Sequence, residues 1–306
     1  MANLSVNIGS TTFKNPIFVA SGTFGYGTEN PELVDISKLG AIVTKSITLN
    51  PREGNPPPRI VETSSGMINS IGLANIGVEK YISDMLPVYE EMDTPIIMNI
   101  AGSSMTEYMD VMKKVEAVSS SIVGYEINIS CPNVKEGGME FGVDCAMTEK
   151  LTGKLRKLTD RLLIMKLSPN VTDIAAIATS SENGGADAIS AINTVVGMSI
   201  NHRSRFSDIY TTFGGLSGPA IKPVGLACVH KVYNAVNIPI IGIGGIVNST
   251  DVIEYFLAGS CSVQVGTANF RNPGITEIIL NDLNNYLDEK GIDSISSLIG
   301  SVKTHD

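Results

Sequence analysis

Short apolar runs recur along the chain, and a segment with helical periodicity separates each run from the next. None of the runs alternates strictly between apolar and polar positions, which is typical of parallel strands buried on both faces. The eight runs are IFVAS (17–21), AIVTKS (41–46), PIIMNI (95–100), YEINIS (125–130), LLIMKLS (162–168), ADAISAIN (186–193), PIIGIGG (239–245) and SVQVGTA (262–268). Intervening segments such as 106–120 and 249–259 predict helices, with Thr106 and Ser249 at N-cap positions.

Eight strands that alternate with helices predict an α/β fold, the (β/α)8 TIM barrel, whose usual length of about 250 residues leaves room here for loop insertions. A doubly wound open sheet is the alternative. Polar residues and glycines end nearly all eight runs, whereas an open sheet would concentrate them at one switch point, so the barrel is favoured. We expect residues 1–306 to form one domain. It would carry a small N-terminal hairpin at 5–14 that closes the barrel bottom, an extended excursion at 51–60 and a long loop insertion at 195–218.

Composition narrows the functional classes. The 306 residues are 43% hydrophobic and 17% charged, which allows a sizeable core, and the net charge of −9 argues against a nucleic-acid surface. No apolar run approaches the roughly 18 residues of a membrane span, and no signal peptide is visible. The four cysteines form no CxxC pair. A reduced, cytoplasmic protein without a zinc or iron–sulfur site of its own is therefore expected.

Barrel enzymes carry their reactive groups on the loops that follow the strands, so candidate residues are expected at the strand ends. Two lysines, Lys45 and Lys166, lie in otherwise apolar strands. A buried lysine is costly unless it meets an anion or an acceptor, and two at one mouth indicate an electron-rich, partly anionic ligand. The alternative is that each lysine makes a structural salt bridge.

Glycines and asparagines add to this picture. Strand seven ends in GIGG and strand eight in VGTA, and backbone N–H groups at that corner of a barrel commonly hold a phosphate. GLSGPA (215–220) could add amides to the same cradle. Asparagine offers both a donor and an acceptor, so a set of asparagines can recognise a planar ring edge such as that of a pyrimidine. For any single asparagine a turn role is the better interpretation, and the hypothesis depends on the set.

Cys131 follows the fourth strand and precedes a proline, in NISCPNVKEGG. A lone buried cysteine is usually inert packing, but a position at a strand end favours function. Cys145, Cys228 and Cys261 fall in helical patterns or at a helix–strand junction and are interpreted as structural. None of the three histidines lies at a strand end, so Cys131 is left as the candidate general base.

These strings together resemble a known family, the class 1 dihydroorotate dehydrogenases. The likeness extends along essentially the whole chain, and cysteine at the base position marks class 1, since class 2 enzymes carry serine. PREGNPPPR, MINSIGL and the KEGG-type loop are similar to type B, which passes electrons to NAD. The other strings that carry the resemblance are NISCPNVK, KLSPNVTDI (166–174), INT (192–194), GGLSGPAIKP (214–223), PIIGIGGI (239–246) and VGTANF (265–270).

The resemblance implies that FMN lies across the barrel mouth and that dihydroorotate stacks on it. Cys131 would take the proton from C5, while Lys166 would stabilise negative charge on the reduced flavin. FMN would contact Ala20, Ser21, Gly22, Lys45, Ser46, Asn99, Asn128, Lys166, Ile192, Gly218, Gly244, Gly245, Gly266 and Thr267. Dihydroorotate would be bound by Lys45, Asn69, Ser70, Ile71, Gly72, Leu73, Asn128, Asn133, Asn193 and Thr194.

The resemblance also implies a partner. Type B chains pair with an iron–sulfur subunit that carries FAD and a 2Fe-2S cluster, and a homodimer of this chain would form the core of a heterotetramer. The alternatives are a fumarate-using type A homodimer, a dihydropyrimidine dehydrogenase-like subunit, and a flavin- or phosphate-binding barrel without turnover. No role is assigned to residues 195–213.

Overall fold

Eight strands close into a parallel barrel, as the apolar runs predict. The computed structural model describes residues 2–29, 32–130 and 142–305. Its strands are β1 (Val6–Ile8), β2 (Thr11–Phe13), β3 (Ile17–Val19), β4 (Ala41–Val43), β5 (Ile60–Thr63), β6 (Gly66–Asn69), β7 (Ile96–Ile100), β8 (Gly124–Asn128), β9 (Leu162–Leu167), β10 (Ala188–Ala191), β11 (Val195–Gly197), β12 (Gly214–Ser217), β13 (Ile240–Ile243) and β14 (Ser262–Val265). The barrel strands are β3, β4, β7, β8, β9, β10, β13 and β14. Each pairs in parallel with the barrel strand that follows it in the chain, and β14 pairs with β3 to close the barrel.

Helices connect successive barrel strands, except that the described residues between β3 and β4 form only a 3-10 turn at Ile36–Lys38, and this alternation confirms the α/β pattern and the TIM barrel. The helices are α1 (Val78–Lys80), α2 (Leu86–Tyr89), α3 (Met105–Glu116), α4 (Cys145–Arg156), α5 (Ile174–Asn183), α6 (Lys222–Tyr233), α7 (Ser249–Ala258), α8 (Ala268–Arg271) and α9 (Ile275–Lys290). A π-helical segment, Tyr81–Met85, joins α1 to α2. No helix in these described ranges has the length and apolar character needed to cross a bilayer.

The N-terminal hairpin lies where the sequence predicts it. Strands β1 and β2 pair antiparallel, with Val6 opposite Phe13. Phe13 is fully buried, and its ring centroid lies 4.8 Å from that of Phe18. A Cβ added at the hairpin glycine, Gly9, would lie 3.2 Å from Leu162, the first residue of β9. The hairpin therefore packs against the N-terminal ends of the barrel strands, opposite the mouth.

A four-stranded antiparallel sheet lies beside the barrel, and both the predicted excursion and the predicted insertion contribute strands to it. The order is β11-β12-β6-β5, with Gly215 opposite Asn69 and Asn69 opposite Ile60. The excursion at 51–60 thus runs into strand β5, and the 195–218 insertion begins with β11 and ends with β12, which pairs with β6. The four strands are short, half-exposed and partly glycine-rich, so local periodicity gives no signal for them.

The predicted N-caps of two helices are wrong by one or two residues. Ser104, not Thr106, caps α3, and its hydroxyl accepts from the Glu107 N–H at 3.2 Å. Asn248, not Ser249, caps α7 in a capping box with Asp251. Both observed caps have the extended backbone that an N-cap requires, with φ near −150°, whereas the predicted residues already lie in the first helical turn.

Candidate active site

A chain of contacts joins three of the four predicted substrate-binding asparagines, Asn69, Asn128 and Asn193, across the mouth. The Asn193 Nδ2 donates to Asn128 Oδ1 at 3.2 Å, and the Thr194 N–H donates to Asn193 Oδ1 at 2.8 Å. Thr194 packs so closely on Gly215 that a Cβ there would collide with the threonine hydroxyl. The Gly215 carbonyl accepts from Asn69 Nδ2 at 3.4 Å. The four-stranded sheet therefore places Asn69 beside residues that follow strands β8 and β10.

The segment from Ser70 to Leu73 leaves the end of β6 as a tight loop. The Asn55 side chain donates to the Ser70 carbonyl at 2.8 Å, and the Asn55 N–H donates to the Ile71 carbonyl at 2.9 Å. Gly72 and Leu73 both have positive φ, at 76° and 58°. The Ser70 hydroxyl is buried and has no hydrogen-bond partner in the described part of the chain. The loop is thus held by its backbone, and the Ser70 hydroxyl is left for a ligand.

The two predicted lysines differ in their surroundings. Lys45 follows β4 and is half-buried, and its ammonium group has no hydrogen-bond or ion-pair partner among the described residues. Lys166 lies in β9 and is almost fully buried, and its Nζ is 3.1 Å from Glu126 Oε1. The structural salt bridge, weighed from the sequence as the alternative, is therefore present for Lys166.

Glu126 is a site residue that sequence reasoning missed. Its carboxylate is fully buried inside the barrel, where the two oxygens accept from four side chains on four other strands. The donors are Asn99 Nδ2 at 2.7 Å, Lys166 Nζ at 3.1 Å, Ser190 Oγ at 2.9 Å and Gln264 Nε2 at 2.6 Å. A glutamate in an apolar strand, two positions before Asn128 and so on the same face, was the signal available.

Glycines from three loops converge at the ends of β13 and β14. A Cβ at Gly245 would lie 2.9 Å from the Gly218 carbonyl oxygen, and Gly244, Gly245 and Gly218 all have positive φ. Thr267 Oγ1 donates to the Ser217 hydroxyl at 2.8 Å, which ties β14 to the sheet strand β12. No hydrogen bond in the described ranges leaves the backbone N–H groups of Gly244, Gly245, Gly266 and Thr267. This group of residues, called the glycine corner below, consists of Gly218, Gly244, Gly245, Gly266 and Thr267. It thus offers donors of the kind that bind a phosphate.

The remaining predicted cofactor residues lie in or directly after strands β3, β4, β7 and β10. The Ala20 N–H donates to the Val265 carbonyl at 2.8 Å, and the Ile192 N–H donates to the Ile243 carbonyl at 3.0 Å, beyond a cis Ala191–Ile192 peptide. Ser21, Gly22 and Ser46 follow β3 and β4. A Cβ at Gly22 would meet nothing within 4 Å, so the backbone there borders open space.

Cys131, the predicted base, and Asn133, a predicted substrate-binding residue, lie outside the described residues. The other three cysteines lie where the patterns predict: Cys145 begins α4, Cys228 lies in α6, and Cys261 precedes β14. Burial raises the pKa of Cys261 to about 11 and also raises the pKa of Cys228. Within the described ranges, no group of three His, Cys, Asp or Glu side chains could hold a metal ion.

The residues present fit a flavin phosphate. The ring of FMN offers donors and acceptors along one edge and its side chain ends in a phosphate, which suits the partnerless N–H groups of the glycine corner. Asn99 Oδ1 is buried without a partner and is an acceptor for which the described residues provide no donor. Together, the closed barrel, its polar mouth and the N–H groups of the glycine corner define a TIM barrel with a site suited to a phosphate-bearing ligand such as FMN.

Comparisons with known proteins identify the family. Residues 3–287 match the family model described as Dihydroorotate dehydrogenase. Proteins named "Dihydroorotate dehydrogenase B (NAD(+)), catalytic subunit" are 50% identical in Desulforamulus reducens and 47% identical in Geotalea daltonii, and 98% of this chain and of each relative is covered. A crystal structure of DHODH from Eimeria tenella in complex with ferulenol matches with a TM-score of 0.79 and 25% identity, over 98% of this chain and 88% of that one.

The chain belongs to the dihydroorotate dehydrogenase family. It is an oxidoreductase that oxidises dihydroorotate in pyrimidine biosynthesis and depends on a flavin.

Proposed function

We propose that the flavin is FMN and that its phosphate binds at the glycine corner. The observation that carries this proposal is the set of four backbone N–H groups at the ends of β13 and β14 that have no partner among the described residues. FMN ends in a phosphate, for which such N–H groups are suitable donors. The ring and ribityl chain would then extend over residues at the mouth, which are Ala20, Ser21, Gly22, Lys45, Ser46, Asn99, Asn128, Lys166 and Ile192, with Gly218 near the phosphate.

Dihydroorotate binds beside the flavin on the asparagine chain. Lys45, whose ammonium group has no partner among the described residues, pairs with the substrate carboxylate. Asn69, Asn128 and Asn193 offer amide donors and acceptors that complement the alternating C=O and N–H groups of the ring. Thr194, Asn133 and the loop from Ser70 to Leu73 complete the site, with the buried Ser70 hydroxyl free to donate or accept.

Cys131 is proposed as the base of the reaction. Its thiolate takes the proton from C5 of dihydroorotate, so a C–H bond breaks and an S–H bond forms as the ring double bond of orotate develops. When bound, the flavin supplies the acceptor for the hydride that leaves C6. An ordinary thiol has a pKa near 8.5 and only the thiolate can take up the proton, so turnover is expected to rise with pH until the thiol is deprotonated.

Electrons are proposed to leave through a second protein. The relatives are named as the catalytic subunit of an NAD(+) enzyme, and this name implies a separate subunit. We propose that an iron–sulfur cluster and an FAD lie on that partner, since the four cysteines of this chain form no closely spaced group of the kind a cluster needs. A homodimer of this chain with two such subunits would form a cytoplasmic heterotetramer that uses NAD in preference to fumarate.

The phosphate assignment is tested by flavin binding to the chain stripped of its flavin. FMN and riboflavin share the same ring and differ by the phosphate, so riboflavin is the matched control. FMN should bind at least about tenfold more tightly than riboflavin, because a charge-assisted phosphate contact contributes a few kcal/mol. The measurement is quenching of flavin fluorescence on titration. Equal affinity for the two flavins would contradict a phosphate site at the glycine corner.

A further inference from the structure

The buried carboxylate of Glu126 links five of the eight barrel strands. It lies on β8, and its donors lie on β7, β9, β10 and β14. Three of the donors are neutral, and Lys166 is the cation among them. A fully buried carboxylate is expensive to desolvate. Four donors, one of which is the cationic Lys166, offset that cost and satisfy both carboxylate oxygens. Glu126 is thus built into the barrel with its hydrogen-bonding capacity fully used.

Strand register shows how Glu126 and Lys166 are arranged along the barrel axis. Glu126 is level with Asn99 and Ile164, whereas Lys166 is level with Asn128 and Ser190. Higher residue numbers lie nearer the mouth in every parallel strand, so the backbone of Lys166 is one inward-facing layer closer to the mouth than that of Glu126. The residue that pairs with the Lys166 ammonium group is thus attached to the barrel one layer farther from the mouth.

This arrangement leaves Lys166 with donors for a ligand. An ammonium group has three N–H donors, and within the described ranges the only recorded acceptor for Lys166 Nζ is Glu126 Oε1. A flexible lysine side chain held at one point by a buried anion loses much of its freedom before any ligand arrives. Preorganisation of this kind improves binding because the ordering cost has already been met during folding.

We propose that Glu126 is a positioning residue that fixes the Lys166 ammonium group, as a charged donor, toward the flavin site. The proposal rests on the proposed FMN site, because Lys166 is the group through which Glu126 acts. Glu126 itself touches neither flavin nor substrate in this account. Its negative charge keeps the buried ammonium group paired, and its position at the end of four hydrogen bonds fixes where that group lies.

Glu126→Gln is the variant that tests the charge with little change in shape. The new amide keeps one oxygen as an acceptor for Lys166 and Asn99. Its NH2 group would face Ser190 and Gln264, and both can adapt, because a hydroxyl can accept and the Gln264 amide can turn to present its Oε1. That Oε1 is buried and has no partner in the described structure. The variant should therefore fold.

Ser190→Ala is the matched control. It removes one hydrogen bond from the same carboxylate and leaves the Lys166 pair intact. If Glu126 serves only to tie strands together, both variants should lower the melting temperature and neither should alter FMN affinity. If Glu126 positions Lys166, Glu126→Gln should weaken FMN binding by about tenfold or more, while Ser190→Ala stays within about twofold of the native affinity.

A double-mutant cycle with Lys166→Met shows whether the effect passes through the lysine. FMN affinity of each flavin-free variant is measured by fluorescence quenching, and melting temperature is recorded alongside. The loss caused by Glu126→Gln in the native background should disappear in the Lys166→Met background, because the group that it positions is gone. Persistence of the full loss without Lys166, or native affinity in Glu126→Gln, would overturn the proposal.

The outcomes also separate this inference from the proposed function. If Lys166→Met weakens FMN binding and Glu126→Gln does not, the positioning role of Glu126 fails and the flavin role of Lys166 stands. If neither substitution changes FMN affinity, the proposed contact between Lys166 and the flavin fails as well.

Discussion

The thiols of this chain differ in their surroundings, and that difference can be measured residue by residue. Cys145 is exposed at the first turn of α4, whereas Cys261 is buried and its pKa is raised to about 11. At pH 8 the thiolate, which is the reactive form, is therefore nearly absent at Cys261. Cys131, as the proposed base, must expose its sulfur to the substrate site.

The rate at which each cysteine is alkylated should reflect how exposed its sulfur is and how readily it forms the thiolate. In a Cys145→Ser variant treated with iodoacetamide at pH 8, we expect Cys131 to be the fastest thiol to react and Cys261 to be spared. Orotate should protect Cys131, because the product occupies the site that the sulfur faces. Peptide mass spectrometry of the labelled chain gives the extent at each position. Labelling of Cys131 at the same rate with and without orotate would contradict its place at the substrate site.

At the level of single residues, the sequence shows costly groups more readily than it shows their partners. Lys166 is conspicuous in an apolar strand, but its partner Glu126 is 40 positions earlier and on a different strand. Pairing of that kind depends on barrel closure and strand register, which local pattern does not reveal. The orphaned Ser70 hydroxyl is likewise visible only once the sheet has formed.

Helix α7 supports the glycine corner through Asp251. This buried carboxylate accepts from the Val247 N–H at 2.8 Å and the Asn248 N–H at 3.2 Å, and it pairs with Lys222 Nζ at 2.7 Å. The two carboxylates that pair with Lys222 raise its pKa, chiefly through the hydrogen bond to Asp251 and then through the hydrogen bond to Glu254. The turn that follows Gly244 and Gly245 is therefore held by one side chain of the next helix.

Asp251→Ala should lower the free energy of unfolding by about 3 kcal/mol, because it leaves buried N–H groups and a lysine without their acceptor. It should also weaken FMN binding, since the glycine corner is no longer held. Glu254→Ala is the control: it removes the other partner of Lys222, also at 2.7 Å, but from a half-buried position that is more exposed than that of Asp251, and it should cost no more than about 1 kcal/mol. Urea denaturation and FMN titration of both variants give the comparison. Equal effects would contradict a special role for Asp251.

At the level of elements, buried runs were predictable and the small sheet was not. Seven of the eight barrel strands fall inside the predicted apolar runs, and β8 begins one residue earlier, at Gly124, because parallel strands buried on both faces leave an uninterrupted apolar signal. Strands β5, β6, β11 and β12 are three or four residues long and half-exposed, and β6 pairs with a strand about 150 residues later. Strands β5 and β6 form a short local hairpin, but the position of β11 and β12 beside them depends on long-range pairing that local patterns do not show.

The whole molecule places a preformed polar mouth on a barrel whose interior is tied by one carboxylate. The resemblance read from the sequence is confirmed by the family match over residues 3–287 and by relatives that cover nearly the full chain. The extent of the single domain, the place of Cys131 and the roles of the individual mouth residues stay predictions. The roles of the mouth residues depend on contacts with a flavin, a substrate and a partner, which local sequence patterns do not specify.

The central claim is that a sulfur and a flavin act together on dihydroorotate at this mouth. It is tested most directly by adding dihydroorotate without oxygen to the FMN-loaded chain and following flavin absorbance. The native chain should bleach rapidly, and Cys131→Ser should keep its bound FMN and bind orotate yet bleach far more slowly. Native bleaching rates in Cys131→Ser, or no bleaching of the native chain, would contradict the account.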